Sequence, residues 1–230
     1  MYNRSALQEA EKIRLTREFQ EHVANAQKER DFYLACLQMA EEQLHLLPKD
    51  ATNPADYGHY TFDFAQQLQV PYHARQVGPL YFKVPLKVQL FGICNGATKN
   101  QVNYFFDESQ SIGANGTCAH GPNFVISMLH HFFENHSGHE PTCHLHADNC
   151  VGQNKNRAVV GYLAWRVIKG LHKKITLSFM LVGHTRCFVD GNFGLLKKSY
   201  RSSDVDTVQQ LSQVVNNSSR TNTAQLYSWE

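Results

Sequence analysis

The sequence predicts an α/β fold: a mixed sheet flanked by helices, preceded by a long N-terminal helical segment. Three observations carry that expectation. Residues 4–47 contain no proline or glycine and place apolar side chains mostly at three/four spacing. Three segments between 59 and 109 read as successive strands of a meander. From Pro122 onward, apolar-periodic helices alternate with short apolar strands, the order of a sheet covered on its faces.

The helical segment is traced by Leu15, Phe19, Ala26, Tyr33, Leu37, Ala40 and Leu44, and ends before Pro48. Its apolar stripe is narrow, so it suits either a helix docked on the domain or a coiled-coil pairing element. Residues 49–58 (KDATNPADYG) form a linker by composition. In HYTFDFAQQL, Tyr60, Phe62 and Phe64 face one way and Thr61 and Asp63 the other. Pro71, Pro79 and Pro85 mark an extended connection. LKVQLFGICNG and NQVNYFFDES then make a hairpin turning near Gly96 to Asn100. SQSIGANGTCAHG is a loop, and Pro122 opens a helix over PNFVISMLHHFFEN. TCHLHAD is a strand, KNRAVVGYLAWRVIKGLH a helix, KITLSFMLV a buried strand and DGNFGLLKKSYR a helix begun by Asp190. A last helix spans Val205 to Val215. The order matches a ribonuclease H-like architecture. It divides the chain into a helical segment (1–48), a sheet domain (56–216) and a disordered tail (217–230).

Composition narrows the function classes. At 42% hydrophobic and 18% charged, the chain is globular rather than disordered. No apolar run of membrane-spanning length occurs, and the charged N-terminus is not a secretory signal. Six cysteines without paired spacing read as reduced thiols of an intracellular protein. A formal charge of +2 is low for a dedicated nucleic-acid binder, so any such surface is local.

In a ribonuclease H-like sheet, carboxylates converge on one or two Mg²⁺ ions, about 3.5–4 Å apart where there are two. Three acids occupy the corresponding places. Asp63 lies in the first strand, where aspartate is disfavoured; it is either a ligand or an edge residue bonded to backbone. Asp148 ends the fourth strand and shares a face with His144 and His146; it is a ligand, an N-cap or an Asx-turn residue. Asp190 follows the fifth strand, as a ligand or a plain N-cap. His184 could orient a water, a carboxylate or a scissile phosphate, or be a satisfied buried histidine. Glu108 is a fallback ligand. Asn149, Gln153 and Asn154 could orient the Asp148 carboxylate or touch phosphate, and Lys155 and Arg157 add donors at a helix N-terminus, a favourable place for an anion. Lys197, Lys198 and Arg201 form a second phosphate-binding cluster.

Competing chemistries find little support. Cys143, His144, His146 and Cys150 lack the paired spacing of structural zinc, and strand geometry separates Cys143 from the histidines. VGQNKN is not a phosphate-binding Walker loop, and no G-x-S-x-G elbow occurs. Cys150 beside His146 reads as an inert thiol before a nucleophile.

Three blocks, FDFAQQLQVP, DNCVGQNKN and GHTRCFVDGNFG, occur in that order. Together they resemble a eukaryotic domain family of unknown function found in transposon-derived, transposase-like proteins, across roughly residues 56–215. The resemblance implies a DDE/D-type phosphoryl-transfer domain using Mg²⁺ or Mn²⁺, with Asp63, Asp148 and Asp190 as motif acids, DNA as partner and a nuclear location. No zinc-finger or helix-turn-helix module precedes the domain, the pattern of a fragment, a truncated transposon copy or a domesticated gene product. A catalytically inactive interaction domain, self-associating through residues 4–47, is the alternative.

Overall fold

The computed structural model of the protein describes residues 9–48, 54–75, 78–110, 121–181, 183–184 and 186–226. The loop expected between 109 and 121, with Cys118, lies mostly outside them, as do residues 4–8, 49–53 and 227–230.

The N-terminal segment is one helix, α1 (Glu9–Leu46), uninterrupted because nothing in it breaks the backbone ladder. Strands β1 (Tyr57–Phe64), β2 (Leu68–Val70), β3 (Leu86–Asn95) and β4 (Gln101–Asp107) follow, with a four-residue helix α2 (Gly78–Tyr81) in the proline-rich connection. Then come α3 (Pro122–Asn135), β5 (Thr142–Ala147), α4 (Arg157–Ile168), β6 (Lys174–Phe179), α5 (Phe188–Arg201), α6 (Val208–Ser218) and β7 (Asn222–Leu226). The strands form one sheet in the order β6–β5–β1–β3–β4–β7, with β2 pairing β3 beyond the end of β1. β1 is antiparallel to β3 and parallel to β5, and β5 is parallel to β6. This is the expected α/β fold, a ribonuclease H-like mixed sheet flanked by helices.

Period-two alternation sorts the core into two layers. Tyr60, Phe62, Phe91, Ile93, Tyr104, Phe106, Cys143 and Leu145 face α3 and α4, where Val125, Met128, Leu129, Phe132, Val159 and Leu163 complete the larger cluster. On the opposite face, Val88, Leu90, Cys94 and Phe105 pack with Val189, Phe193 and Leu196 of α5 and Leu211 and Val215 of α6. α1 covers the rest of that face with Tyr33, Cys36, Leu37 and Ala40, all nearly inaccessible. Its N-terminal part is different: residues 12–25 are exposed throughout. The five described cysteines are free thiols. Among the described residues no helix is long and apolar enough to cross a membrane.

Four expectations need correction. The first predicted strand breaks after Phe64, and only Leu68–Val70 resumes pairing on β3. α5 begins at Phe188, two residues before Asp190, with Cys187 as its N-cap. α6 begins later than Val205, because Thr207 caps it in a capping box with Gln210, while Val205 bridges to Tyr72. The tail from 217 is not disordered over its described length: Asn222–Leu226 adds β7 parallel to β4. That strand is held by amides rather than by apolar alternation. Asn222 is buried, accepts from Asn103 Nδ2 at 3.2 Å and donates to the Asn192 carbonyl at 3.2 Å.

Candidate active site

Two neighbouring strands and one helix bring the three aspartates to a common edge. β1 and β5 run in parallel register, Thr61 beside His146, so two residues further on Asp63 and Asp148 come level. Asp63 lies on the sheet face that carries His59 and Thr61, the face covered by α1 and α5. Its partner on β3 is Gly92. A Cβ at Gly92 would sit 2.7 Å from the Phe193 ring, so glycine lets α5 lie close against the sheet here. Asp190 is one turn before Phe193.

The electrostatics report this convergence. The Asp63 carboxyl is pushed up from 3.8 to about 7. Burial is the largest cause, the charge of Asp148 comes next, and Asp190 adds a smaller push. The Phe64 amide donates to Asp63 Oδ1 at 2.8 Å and opposes the shift without cancelling it.

Asp148 and Asp190 are each fixed through one oxygen. Asp148 Oδ1 accepts from the Cys150 amide at 3.2 Å, an Asx turn, and from Asn154 Nδ2 at 2.5 Å. The N-cap of α4 is not Asp148 but Asn156, whose Oδ1 accepts from the Ala158 and Val159 amides. Asp190 Oδ2 accepts from the Cys187 amide at 3.0 Å and closes the first turn of α5 from the third helical position.

The remaining predicted residues separate by location. Asn154 is fully buried and bonded to Asp148, which is the carboxylate-orienting alternative for this residue and not the nucleic-acid contact. Asn149 and Gln153 are half-buried in the same loop. Lys155 is exposed, its ammonium 5.3 Å from the centre of the Phe179 ring. Arg157 is exposed in the first turn of α4, where the helix dipole disfavours a cation that has no anion beside it. Lys197 lies seven residues beyond Asp190, roughly 10 Å along α5. It lines a cavity of about 300 Å³ with Gln66, Gln67, Gln69, Tyr200 and Arg201, next to exposed Lys198. His184 packs against α1, its ring 5.0 Å from that of His22 and tilted 53° to it, away from any described contact with the carboxylates. Glu108 accepts from the Lys87 amide at 3.1 Å at the far end of the β3–β4 hairpin from Gly96, and is not gathered with the acids.

Among the described residues no group of three or more histidine, cysteine, aspartate or glutamate side chains, the three aspartates included, is already drawn together as a metal site. The aspartates are related instead by the register of β1 and β5 and by the charge of Asp148 and Asp190 felt at Asp63, along one edge of the sheet. Such an edge suits a hard cation that keeps part of its water shell and shares one or two carboxylates with a substrate phosphate.

A second cluster on the same face went unseen in the sequence. His59, His144 and His146 lie under α1, with His59 Nε2 and His146 Nδ1 sharing a hydrogen bond of 2.9 Å. Cys36 of α1 approaches His144 Nδ1 at 3.5 Å, and Ser178 meets His144 Nε2 at 2.8 Å. His59 Nδ1 and His146 Nε2 are buried without a partner. Alternation placed His144 and His146 together, but nothing in the sequence tied His59 or Cys36 to them.

No curated protein matches the chain. A domain of unknown function, DUF7869, matches residues 82–229, a span that includes Asp148 and Asp190 and begins after Asp63. That span is well over half of the sequence, and the chain belongs to the DUF7869 family.

Proposed function

We propose that the Asp63–Asp148–Asp190 edge binds Mg²⁺ or Mn²⁺ and cleaves or joins DNA phosphodiesters, in a protein of transposase descent acting in the nucleus. The register that brings Asp63 level with Asp148, together with the upward push on the Asp63 pKa, carries the reading. A carboxyl pushed up to about 7 by burial and by two neighbouring carboxylates is a poor structural element and a good cation site. Asp63 and Asp148 would hold the metal, and Asp190 would complete the field from α5. When bound, the metal would supply charge for the attacking and leaving oxygens of an in-line displacement. The chain's own residues do the rest. Asn154 and the Cys150 amide fix one oxygen of Asp148 and leave the other available. Asp63 gives up its proton near neutral pH as its neighbours' charge is neutralised. Lys155 and Arg157, exposed beside Asp148, would meet the DNA backbone, with Lys197 and Lys198 further along α5. Mn²⁺-dependent nicking of supercoiled plasmid tests this: the wild type nicks, and Asp148→Asn does not. Equal nicking by the two proteins sinks the reading.

The exposed N-terminal part of α1 favours a second reading, an interaction domain without catalysis. Leu15, Phe19 and Val23 project at four-residue spacing and are 40%, 66% and 43% exposed, a seam fit for a second copy of the helix. Sedimentation of wild type and Phe19→Glu decides it: a dimer lost in the variant supports self-association, and identical monomers exclude it.

A further inference from the structure

A cavity of about 460 Å³ opens between α1 and the loop joining β6 to α5, lined by Val23, Ala26, Gln27, Arg30, Gly183, His184 and Arg186. Its size falls in the range of small-molecule sites. Among the described residues its polar lining consists of two guanidiniums, an amide and an imidazole, with no acidic side chain. Arg30 is anchored rather than mobile: its guanidinium donates to the Arg186 carbonyl at 2.5 Å and lies 5.4 Å from the centre of the Tyr33 ring. That bond uses one of five N–H donors. Neither Arg30 nor Arg186 has a carboxylate partner among the described residues, whereas Arg14 and Arg166 both do. His184, on the same wall, has the His22 ring 5.0 Å away and tilted to it. Two guanidiniums without a carboxylate partner among the described residues line the same cavity, and an anion bound there is attracted by both.

The position identifies the anion's carrier. Arg186 is four residues from Asp190, so the cavity adjoins the carboxylate edge by way of the first turn of α5. We propose that this cavity is an anion site for a backbone phosphate of a nucleic-acid strand, and that α1 is thereby a wall of the substrate cleft. Arg30 and Arg186 grip the phosphate, and Gln27 and His184 supply further hydrogen bonds. The proposal rests on the reading of the neighbouring edge for the choice of nucleic acid over a free anion, but its test needs no catalysis.

The test is binding of a fluorescent oligonucleotide by full-length protein carrying Asp148→Asn, in EDTA, over a series of salt concentrations. Arg186→Ala is the primary variant, because its side chain is exposed and only its carbonyl takes part in the fold. The expected result is a loss of about tenfold in affinity, the worth of one charge-assisted hydrogen bond. The slope of log affinity against log salt falls by about one, equally for unrelated oligonucleotide sequences. Arg30→Ala repeats the effect if folded, as judged by its melting curve. Unchanged affinity and slope in Arg186→Ala overturn the proposal. Inorganic phosphate binding that depends on Arg186, with oligonucleotide binding that does not, also overturns it, because the site then serves a free anion. Loss of plasmid nicking, or its absence, leaves this binding result intact, so the two readings fail separately.

Discussion

Asn154 Nδ2 donates a 2.5 Å hydrogen bond to Asp148 Oδ1 from a fully buried position in the loop that leads into α4. The other end of the same amide, Oδ1, is buried without a partner. Asn154→Ala therefore removes one favourable bond to a charged group, worth about 1.5–3 kcal/mol, and one orphaned acceptor that costs about 1–3 kcal/mol. The two nearly offset. The variant should unfold in urea within about 1 kcal/mol of wild type, yet lose about 10–100-fold in Mn²⁺-dependent nicking, as residues supporting metal-binding carboxylates do. A large fall in stability with normal activity would make Asn154 a purely structural residue.

Gly92 sets how near α5 can come to Asp63. Its added Cβ would meet the buried Phe193 ring at 2.7 Å and the buried Gln101 amide at 2.8 Å. Gly92→Ala should destabilise by about 1–3 kcal/mol, the usual cost of overpacking a core. Pushing α5 away also removes part of the field of Asp190 from Asp63, so the Asp63 carboxyl should titrate lower than in wild type. Carboxyl NMR of both proteins checks the second point independently of the first.

Asp63 makes stability depend on pH with a definite sign. Its folded value, about 7, lies above its ordinary 3.8. Below about 4 the carboxyl is protonated in both states. Between about 4 and 7 only the unfolded chain ionises, so stability falls as pH rises through that window and levels off above it. Asp63→Asn lacks this loss. The melting temperature of the variant should exceed that of wild type by a margin that grows from pH 4 to pH 7. Mn²⁺ should narrow the margin at pH 7.5, since bound metal favours the ionised carboxyl. A margin independent of pH would show that Asp63 is not strained by its neighbours.

The histidine layer under α1 acts in the opposite direction. Burial, followed by mutual repulsion with the neighbouring histidines, takes His59 down to about 2; burial, then the charge of His144, takes His146 down to about 3. Burial, then the charge of Lys174, takes His144 down to about 4, and Lys99 adds to the depression of His59. The facing side chains of α1 are Phe32, Tyr33 and Cys36, none of them an acid able to hold an imidazolium. Folded values below the ordinary 6.5 mean that the stability is complete above about 6.5 and is lost as pH falls below it, because the unfolded chain takes up protons that the folded chain refuses. Three such groups outweigh the single opposing Asp63. Hydrogen exchange should show residues 26–40 of α1 losing protection between pH 6.5 and pH 5. Protection unchanged over that range would mean that the layer opens without releasing α1.

The sequence revealed the sheet more clearly than the site. Alternation at Tyr60, Phe62 and Phe64 placed β1 and put Asp63 on the opposite face, because apolar side chains must share the buried side. The helices α3 and α4 were legible from apolar spacing for the same reason. β7 was not, since its pairing rests on buried amides of Asn103, Asn192 and Asn222, which look like surface residues in a linear reading. The start of α5 was misplaced because Asp190 resembles an N-cap, whereas it closes a capping box from inside the helix with Cys187. The pairing of His59 with His146 depends on β1 lying beside β5, and the cavity of Arg30 and Arg186 on where α1 docks; these join residues 87 and 156 positions apart, which local patterns do not encode. The role of Asn154 stays open in the sequence between orienting a carboxylate and touching phosphate, because polarity alone does not distinguish a buried positioning amide from an exposed donor.

The central claim is that Asp63, Asp148 and Asp190 form one divalent-cation edge. Mn²⁺ binding at pH 7.5, followed by the paramagnetic resonance of the free ion, tests it most directly. The account predicts one or two ions bound by the wild type, binding weakened at least tenfold in Asp63→Asn and in Asp148→Asn, and a smaller loss in Asp190→Asn. Equal Mn²⁺ binding by the wild type and the Asp63→Asn and Asp148→Asn variants, all folded, would contradict it.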